Sequence, residues 1–341
     1  MGGHGQRLAR RPLVMAIVAA ALLVPAAARS QPSGTVVKTF RLPPGYAYDA
    51  APGMGAMWLF RDDEANTTLI YRVDPRRNKI DRVAQLPFPS GGVAVGYHSL
   101  WVTDYYGDAL YRLSPSGKVR ARIPTGLQPQ YIHLGLGSVW VSNHHSHSVT
   151  RIDLATDRVI ATDRAGAWQF RDGPQALADD GHMLYVGSSN LQKLQRISPA
   201  TDRTSTPPGQ PLPDNFCQEL DFADGWIWSD DVNCTDSVYR LNRQGRIIQT
   251  ISYGGRQGGV GSMTVLRNVV WIGDDQHFDP STGSGSDAAL KAYSASTGRS
   301  LCTRQIGGDA TTLAHGFGDL WVFDSHRATV RRIHVNPSSC G

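Results

Sequence analysis

Residues 129–165 read PQYIHLGLGSVWVSNHHSHSVTRIDLATDRVIATDRA. An apolar run ends at a glycine, and Gly137-Ser138 makes a turn. Val139 to Ser142 follows as a short strand holding Trp140, and a polar loop comes next. Val149 to Asp153 then alternates, a turn falls at Ala155-Thr156-Asp157, and Arg158 to Thr162 alternates again. Period-two alternation broken by turn residues is the pattern of short antiparallel strands, so this stretch predicts a unit of four.

The unit repeats. An aromatic after a small or turn residue recurs at Trp58, Trp101, Trp140, Tyr185, Trp228, Trp271 and Trp321, with spacings of 43, 39, 45, 43, 43 and 50 residues. Six of the eight tryptophans sit on this lattice, which chance composition does not produce. The third strand recurs as YRVDP, YRLSP, TRIDL, QRISP, YRLN and RRIHV. No stretch after residue 35 sustains a helical period. A fixed period with four strands per unit predicts an all-β, seven-bladed β-propeller. The last unit is one strand short, whereas Thr35 to Leu42 (TVVKTFRL) has no unit of its own. This N-terminal strand is therefore expected beside Ala328 to Val335, closing the last blade.

Working outward, Arg7, Arg10 and Arg11 precede an apolar run from Leu13 to Val24, and Ala26-Ala27-Ala28 offers a small-x-small cleavage site. This predicts a signal peptide over 1–28 and a single propeller domain over 29–341, secreted or periplasmic. Arg10-Arg11 also permits a twin-arginine export reading. No later apolar run reaches the length of a membrane span, so no anchor is expected in the mature chain. The formal charge is +5; without Arg7, Arg10, Arg11 and Arg29, the only charges in residues 1–30, it falls to +1. A near-neutral chain gives no electrostatic reason to expect nucleic acid. A monomer is expected. Four cysteines remain after export, which suggests disulfides. Three connectivities are possible; blade geometry favours Cys217–Cys234 and Cys302–Cys340, the second as a staple across the ring junction.

With WVTD, WVSN and SVTRIDLATDRV in view, the chain resembles bacterial propellers of the YVTN and NHL type and the streptogramin B lyase (virginiamycin B lyase) group. The resemblance implies an exported propeller. For the lyase group it further implies ring opening of a cyclic depsipeptide by elimination, with a histidine base, nearby acids and Mg²⁺. The family's histidine stands about ten residues before the blade tryptophan; here those positions hold Gly261 and Thr311, which take no proton. Asp274 and Asp324 stand where the family carries acids just after the tryptophan.

Loops that join strands two and three, and those that join blades, open on one face of a propeller. Three residues past each lattice aromatic stand Arg61, Asp104, Asn143, Ser188, Asp231, Asp274 and Asp324. Asp104, Asp274 and Asp324 supply oxygen donors of the kind that hold Mg²⁺ or Ca²⁺; the alternative is that each acid caps its own loop. Ten residues before the aromatic stand Gln130, Gln175 and Gln218, amides suited to a peptide, sugar or lactone group. His144, His145 and His147, with His277 and His326, fall on the same face. His277 or His326 is the expected base if the chain is catalytic. Trp168 and Arg171 form an expected rim, and the Gly/Ser-rich loop 275–289 an expected flap.

The sequence thus points first to an exported propeller whose polar Asp/Gln/His-lined funnel binds a small molecule, peptide or glycan. The alternatives are a streptogramin-lyase-like ring-opening enzyme assisted by a divalent cation, and a structural or protein-interaction propeller.

Overall fold

The computed structural model describes residues 35–45, 48–166, 173–188, 193–209, 212, 219–230, 237–254, 262–275, 278–279, 284–285, 288–308, 310, 312–325 and 327–335. These contain no helix. They form seven four-stranded antiparallel sheets, in each of which the strands lie in radial order. Blades one to six cover 48–86, 90–124, 129–164, 174–205, 219–252 and 262–305. Blade seven takes three strands from 312–334 and its outermost from Thr35–Arg41. The expected signal segment lies outside the described residues, as do Cys217, Cys234 and Cys340; Cys302 is buried in the outer strand of blade six.

Each innermost strand packs on that of the next blade, and Thr312–Gly316 of blade seven packs on Tyr48–Gly53 of blade one, so the ring is closed. The closing strand pairs antiparallel with Thr329–His334, from Thr35 opposite His334 to Arg41 opposite Thr329. Phe40 stacks on Trp321 with ring centroids 6.0 Å apart. The shift between the repeat units and the blades expected in the sequence is thus observed, with the first strand completing the last sheet.

The apolar residues collect between blades rather than inside them. Seven clusters occupy the seven interfaces; one joins Phe40, Trp321 and Phe323 of blade seven to Met57, Leu59 and Tyr71 of blade one. A four-stranded sheet with two apolar faces can bury both only by stacking, which is why the unit repeats. All seven lattice aromatics are buried. Four lattice indoles also donate to the carbonyl five residues back, as Trp140 Nε1 does to Gly135 O at 3.1 Å, and so tie the first hairpin of their own blade.

The repeated arginine of strand three lies over the lattice indole and reaches the next blade. Arg112 stands 5.0 Å from the Trp101 ring and donates to Asp157 of blade three at 2.7 Å. Arg151 stands 4.9 Å from Trp140 and donates to Pro199 O and Asp202 of blade four, both at 2.7 Å. Arg240 of blade five reaches Ala295 O of blade six, and Arg332 of blade seven reaches Pro75 O and Asn78 of blade one. The same clamp therefore spans the closure.

Candidate functional site

Innermost strands begin, and second strands end, on one face of the ring, because their pairing is antiparallel: Ser90 lies opposite Asp104, Pro129 opposite Asn143 and Pro174 opposite Ser188. At that mouth the inner strands come together on glycine. A β-carbon at Gly92 would lie 1.7 Å from the carbonyl oxygen of Gln130, so only glycine lets blade two approach blade three this closely.

A cavity of about 420 Å³ opens there, lined by Asn66, Ser90, Tyr105, Tyr106, Gln130, Tyr131 and Gln175 among others. Two of the three expected amides thus meet. The buried Oε1 of Gln175 has no hydrogen-bond partner among the described residues. The Tyr105 and Tyr106 rings stand edge to face at 4.9 Å, and Tyr105 donates to Gln128 Oε1 at 3.1 Å. Tyr106 is 72% exposed, which leaves its ring face available at the rim.

The other expected residues that the structure describes make local contacts. Asp104 is buried and accepts the Gly107 N–H at 2.8 Å. Asp324 is buried, accepts the Arg327 N–H at 2.9 Å, and has the guanidinium groups of Arg327 and Arg331 at 3.5 and 3.7 Å. Asn143 is buried and donates to Ser148 Oγ at 3.1 Å and Thr150 Oγ1 at 2.9 Å. The two aspartates cap their own loops, whereas the Asn143 amide ties to hydroxyls of the adjacent strand Ser148–Asp153. His145 is exposed and stacks on His144 at 5.7 Å. Asp274 pairs its backbone with Ala289. Gln218, Asp231, Trp168, Arg171, His277 and His326 lie outside the described residues, and the loop expected over 275–289 carries a short hairpin, Phe278–Asp279 with Ser284–Gly285. Among the described residues no three His, Cys, Asp or Glu side chains are placed to hold a metal ion.

Beneath the mouth lies a constellation one residue further along the inner strands. Nine residues before the lattice aromatic stand Asp49, Tyr131, Glu219 and Ser262; seven before it stand His133, Asp221 and Thr264. Alternate residues share a strand face, so these form two tiers. Burial raises the Asp49 carboxyl to about 7, aided by the charge of Glu219 and opposed by N–H donation from Ala50 and Val93. Burial also raises Glu219 and Asp221; His315 and His133 pull Asp221 the other way. The Tyr131 phenol is raised by burial and then by Glu219, Asp230 and Asp49. Blades one, three and five are not neighbours, so these groups meet only across the central axis.

Hydrogen bonds between blades hold both tiers. Glu219 accepts from Ser262 Oγ at 3.2 Å and from the Met263 N–H at 3.1 Å. His133 Nε2 lies 2.5 Å from Asp179 Oδ2, and Thr264 Oγ1 lies 2.6 Å from His315 Nδ1. The His133 contact holds the Asp179 carboxyl below its ordinary value. None of the seven innermost strands carries a lysine or arginine, against 34 in the chain. That absence is the signal by which an acidic axis is legible in the sequence.

No family model matches the chain, and no curated protein matches it. Solved structures match in fold. A streptogramin B lyase structure superposes with a TM-score of 0.67 at 15% identity, covering 88% of this chain and 97% of the other. Virginiamycin B lyase from Staphylococcus aureus gives 0.66 at 12%, covering 88% and 99%. BamB from Moraxella catarrhalis gives 0.58 at 13%, covering 89% and 98%. The seven-bladed fold expected from the blade grammar is therefore that of the lyase structures. BamB matches at similar identity, so the likeness concerns the fold and leaves the chemistry to the site.

Proposed function

We propose that this chain is an exported binding protein that takes a small molecule, peptide or glycan at the mouth of the ring. The observation that carries the reading is the cavity of about 420 Å³ where Gln130 and Gln175 converge beside Tyr105 and Tyr106. A buried amide oxygen without a donor, as at Gln175, is costly unless a ligand or water supplies one. Tyrosine faces stack on sugar and peptide planes, and amides both donate and accept, so the lining suits ligands rich in hydroxyl or amide groups. The basic, apolar and small-residue segments of residues 1–28 support the export part of the reading.

The test is a saturation-transfer NMR screen of oligosaccharides and short linear and cyclic peptides, with affinities of any binder measured by calorimetry. Gln130→Ala combined with Gln175→Ala should weaken binding by roughly 1–3 kcal/mol. A binder whose affinity ignores this double change and Tyr106→Ala sits elsewhere, and the reading fails.

A second reading, ring-opening elimination, is favoured by one feature: a carboxyl held at about 7 below the mouth can take a proton near neutral pH. In it, Asp49 is the base in place of the missing histidines. Chromatography of a streptogramin B substrate incubated with the protein decides it; turnover that survives Asp49→Asn excludes Asp49 from that role.

A further inference from the structure

The mouth cavity is built on a device that blades two, three and four share. The register of their innermost strands shifts between Ser90 and Val93, between Pro129 and Ile132, and between Pro174 and Leu177. Ser90 to Val93, three steps, faces Asp104 to Val102, two steps, and the other two blades repeat this count. Each inner strand therefore holds a bulge of one extra residue. Among the described residues, the inner pairings of the other four blades run without a shift. The bulged residues Gly91, Gln130, Tyr131 and Gln175 all line the cavity. A bulge re-aims side chains out of the strand's alternation, and here it turns both glutamines into one mouth.

The lining sets the chemistry of the ligand. The Gly92 N–H donates to Thr103 Oγ1 at 2.7 Å and the Tyr131 N–H to Ser142 Oγ at 3.1 Å, so these two bulge amides are closed to main-chain pairing with an extended peptide. Among the described lining residues none is charged, and Pro89 is the only aliphatic one. They offer a peptide neither an ion pair nor a pocket for an apolar side chain. Two kinds of group remain. Asn66, Gln130 and Gln175 bring amides, each able to give and to take a hydrogen bond. Tyr106, 72% exposed and set edge to face on Tyr105, brings a ring face. The buried Gln175 Oε1 has no donor among the described residues, and a ligand hydroxyl supplies one. Amides beside an open aromatic face match a sugar, which carries hydroxyls on its edge and C–H bonds on its face.

We infer that the mouth takes an uncharged oligosaccharide, with one sugar ring lying on Tyr106 and its hydroxyls held by Gln130 and Gln175. This rests on the binding function proposed above and narrows it to one ligand class.

The test is a titration of the purified protein, followed by calorimetry and NMR, with maltohexaose, cellohexaose and N-acetylchitohexaose. A galacturonic acid hexamer, a glucosamine hexamer and acetyl-hexaglycine amide serve as the anionic, cationic and peptide counterparts. At least one neutral sugar should bind saturably, more tightly than every counterpart, and shift the signals of Tyr106 and of the Gln130 and Gln175 amides. Tyr106→Ala and Gln175→Leu should each weaken that sugar about tenfold. Tyr97→Ala changes an exposed tyrosine in the turn at the other end of the blade-two inner strand, and should leave the affinity unchanged. Because Tyr106 is exposed, its replacement decides the matter if Gln175→Leu misfolds. A counterpart that binds more tightly than any neutral sugar, and is weakened by Gln130→Ala with Gln175→Ala, overturns the glycan while the binding function stands. A sugar indifferent to all these changes overturns both. No saturable binding of a neutral sugar at millimolar concentration overturns this inference.

Discussion

At the scale of single residues, the axial carboxyls make the fold sensitive to pH in an unusual direction. Asp49 has its folded-state value raised from 3.8 to about 7. Its charged form is therefore disfavoured in the fold and not in the unfolded chain. The fold is relieved of this cost below about pH 4, and loses stability as pH rises from there to about 7. Glu219 and Asp221 are shifted the same way and add to the effect. Asp49→Asn should stabilise the protein at pH 8 by about 1–2 kcal/mol, allowing for water around a half-buried group, and do little at pH 4. Denaturant melts of both proteins across this range check it; parallel profiles sink it. These residues also mark the limit of what the sequence discloses. Gln130 and Gln175 were legible from their fixed distance to the lattice aromatic, and both border the mouth cavity. Asp49, Tyr131 and Glu219 stand one place later, and the alternation does not say which strand face turns to the axis. Nor does it say that blades one, three and five come within electrostatic reach of one another.

At the scale of strands, the tryptophan lattice and the strand-three arginines form one device. Trp140 is buried between blades three and four, ties the hairpin before it through Gly135 O, and carries Arg151 on its face. Trp140→Ala should cost about 3–5 kcal/mol, the range for removing a large buried aromatic. Arg151→Ala should cost about 1–2 kcal/mol, because it removes hydrogen bonds to Pro199 O and Asp202 as well as the stacked contact. Arg151→Lys should recover less than half of that loss, since an ammonium cannot lie flat on the indole and reach both oxygens. Full recovery by lysine in chemical denaturation would show that charge alone matters. The strands themselves were legible because each alternates and ends in turn residues. The loops were not: Asp104 and Asp324 occupy the register of a ligand ring, yet cap Gly107 and Arg327. Position in a repeat fixes depth in the ring, whereas local backbone donors decide where a carboxylate turns.

At the scale of the whole molecule, the ring depends on a strand borrowed from the far end of the sequence. Phe40 and Leu42 enter the core shared by blades seven and one. Phe40→Asp should therefore lower stability by more than about 3 kcal/mol, the cost of emptying a buried aromatic site and placing a charge there. It should also bare the strand edge of Thr329–His334 and promote association at high concentration, measurable by light scattering. A monomeric variant of parental stability would mean that the outer strand is ornamental. This closure was legible because the count of strands failed to close without Thr35 to Leu42.

The pairing of Thr35 with His334 also sets an order in time. During synthesis the first strand of the ring emerges before the other blades and finds no partner until Thr329–His334 has been made. Six sheets can assemble from neighbouring segments as they appear, but the seventh waits. A chain truncated before residue 329 lacks Thr329–His334, so Thr35–Arg41 is left without its partner strand and the seventh sheet stays incomplete. Pairing of two segments so far apart in sequence is thus a condition of completing the last sheet, and the slow search for that distant partner is the expected rate-limiting step.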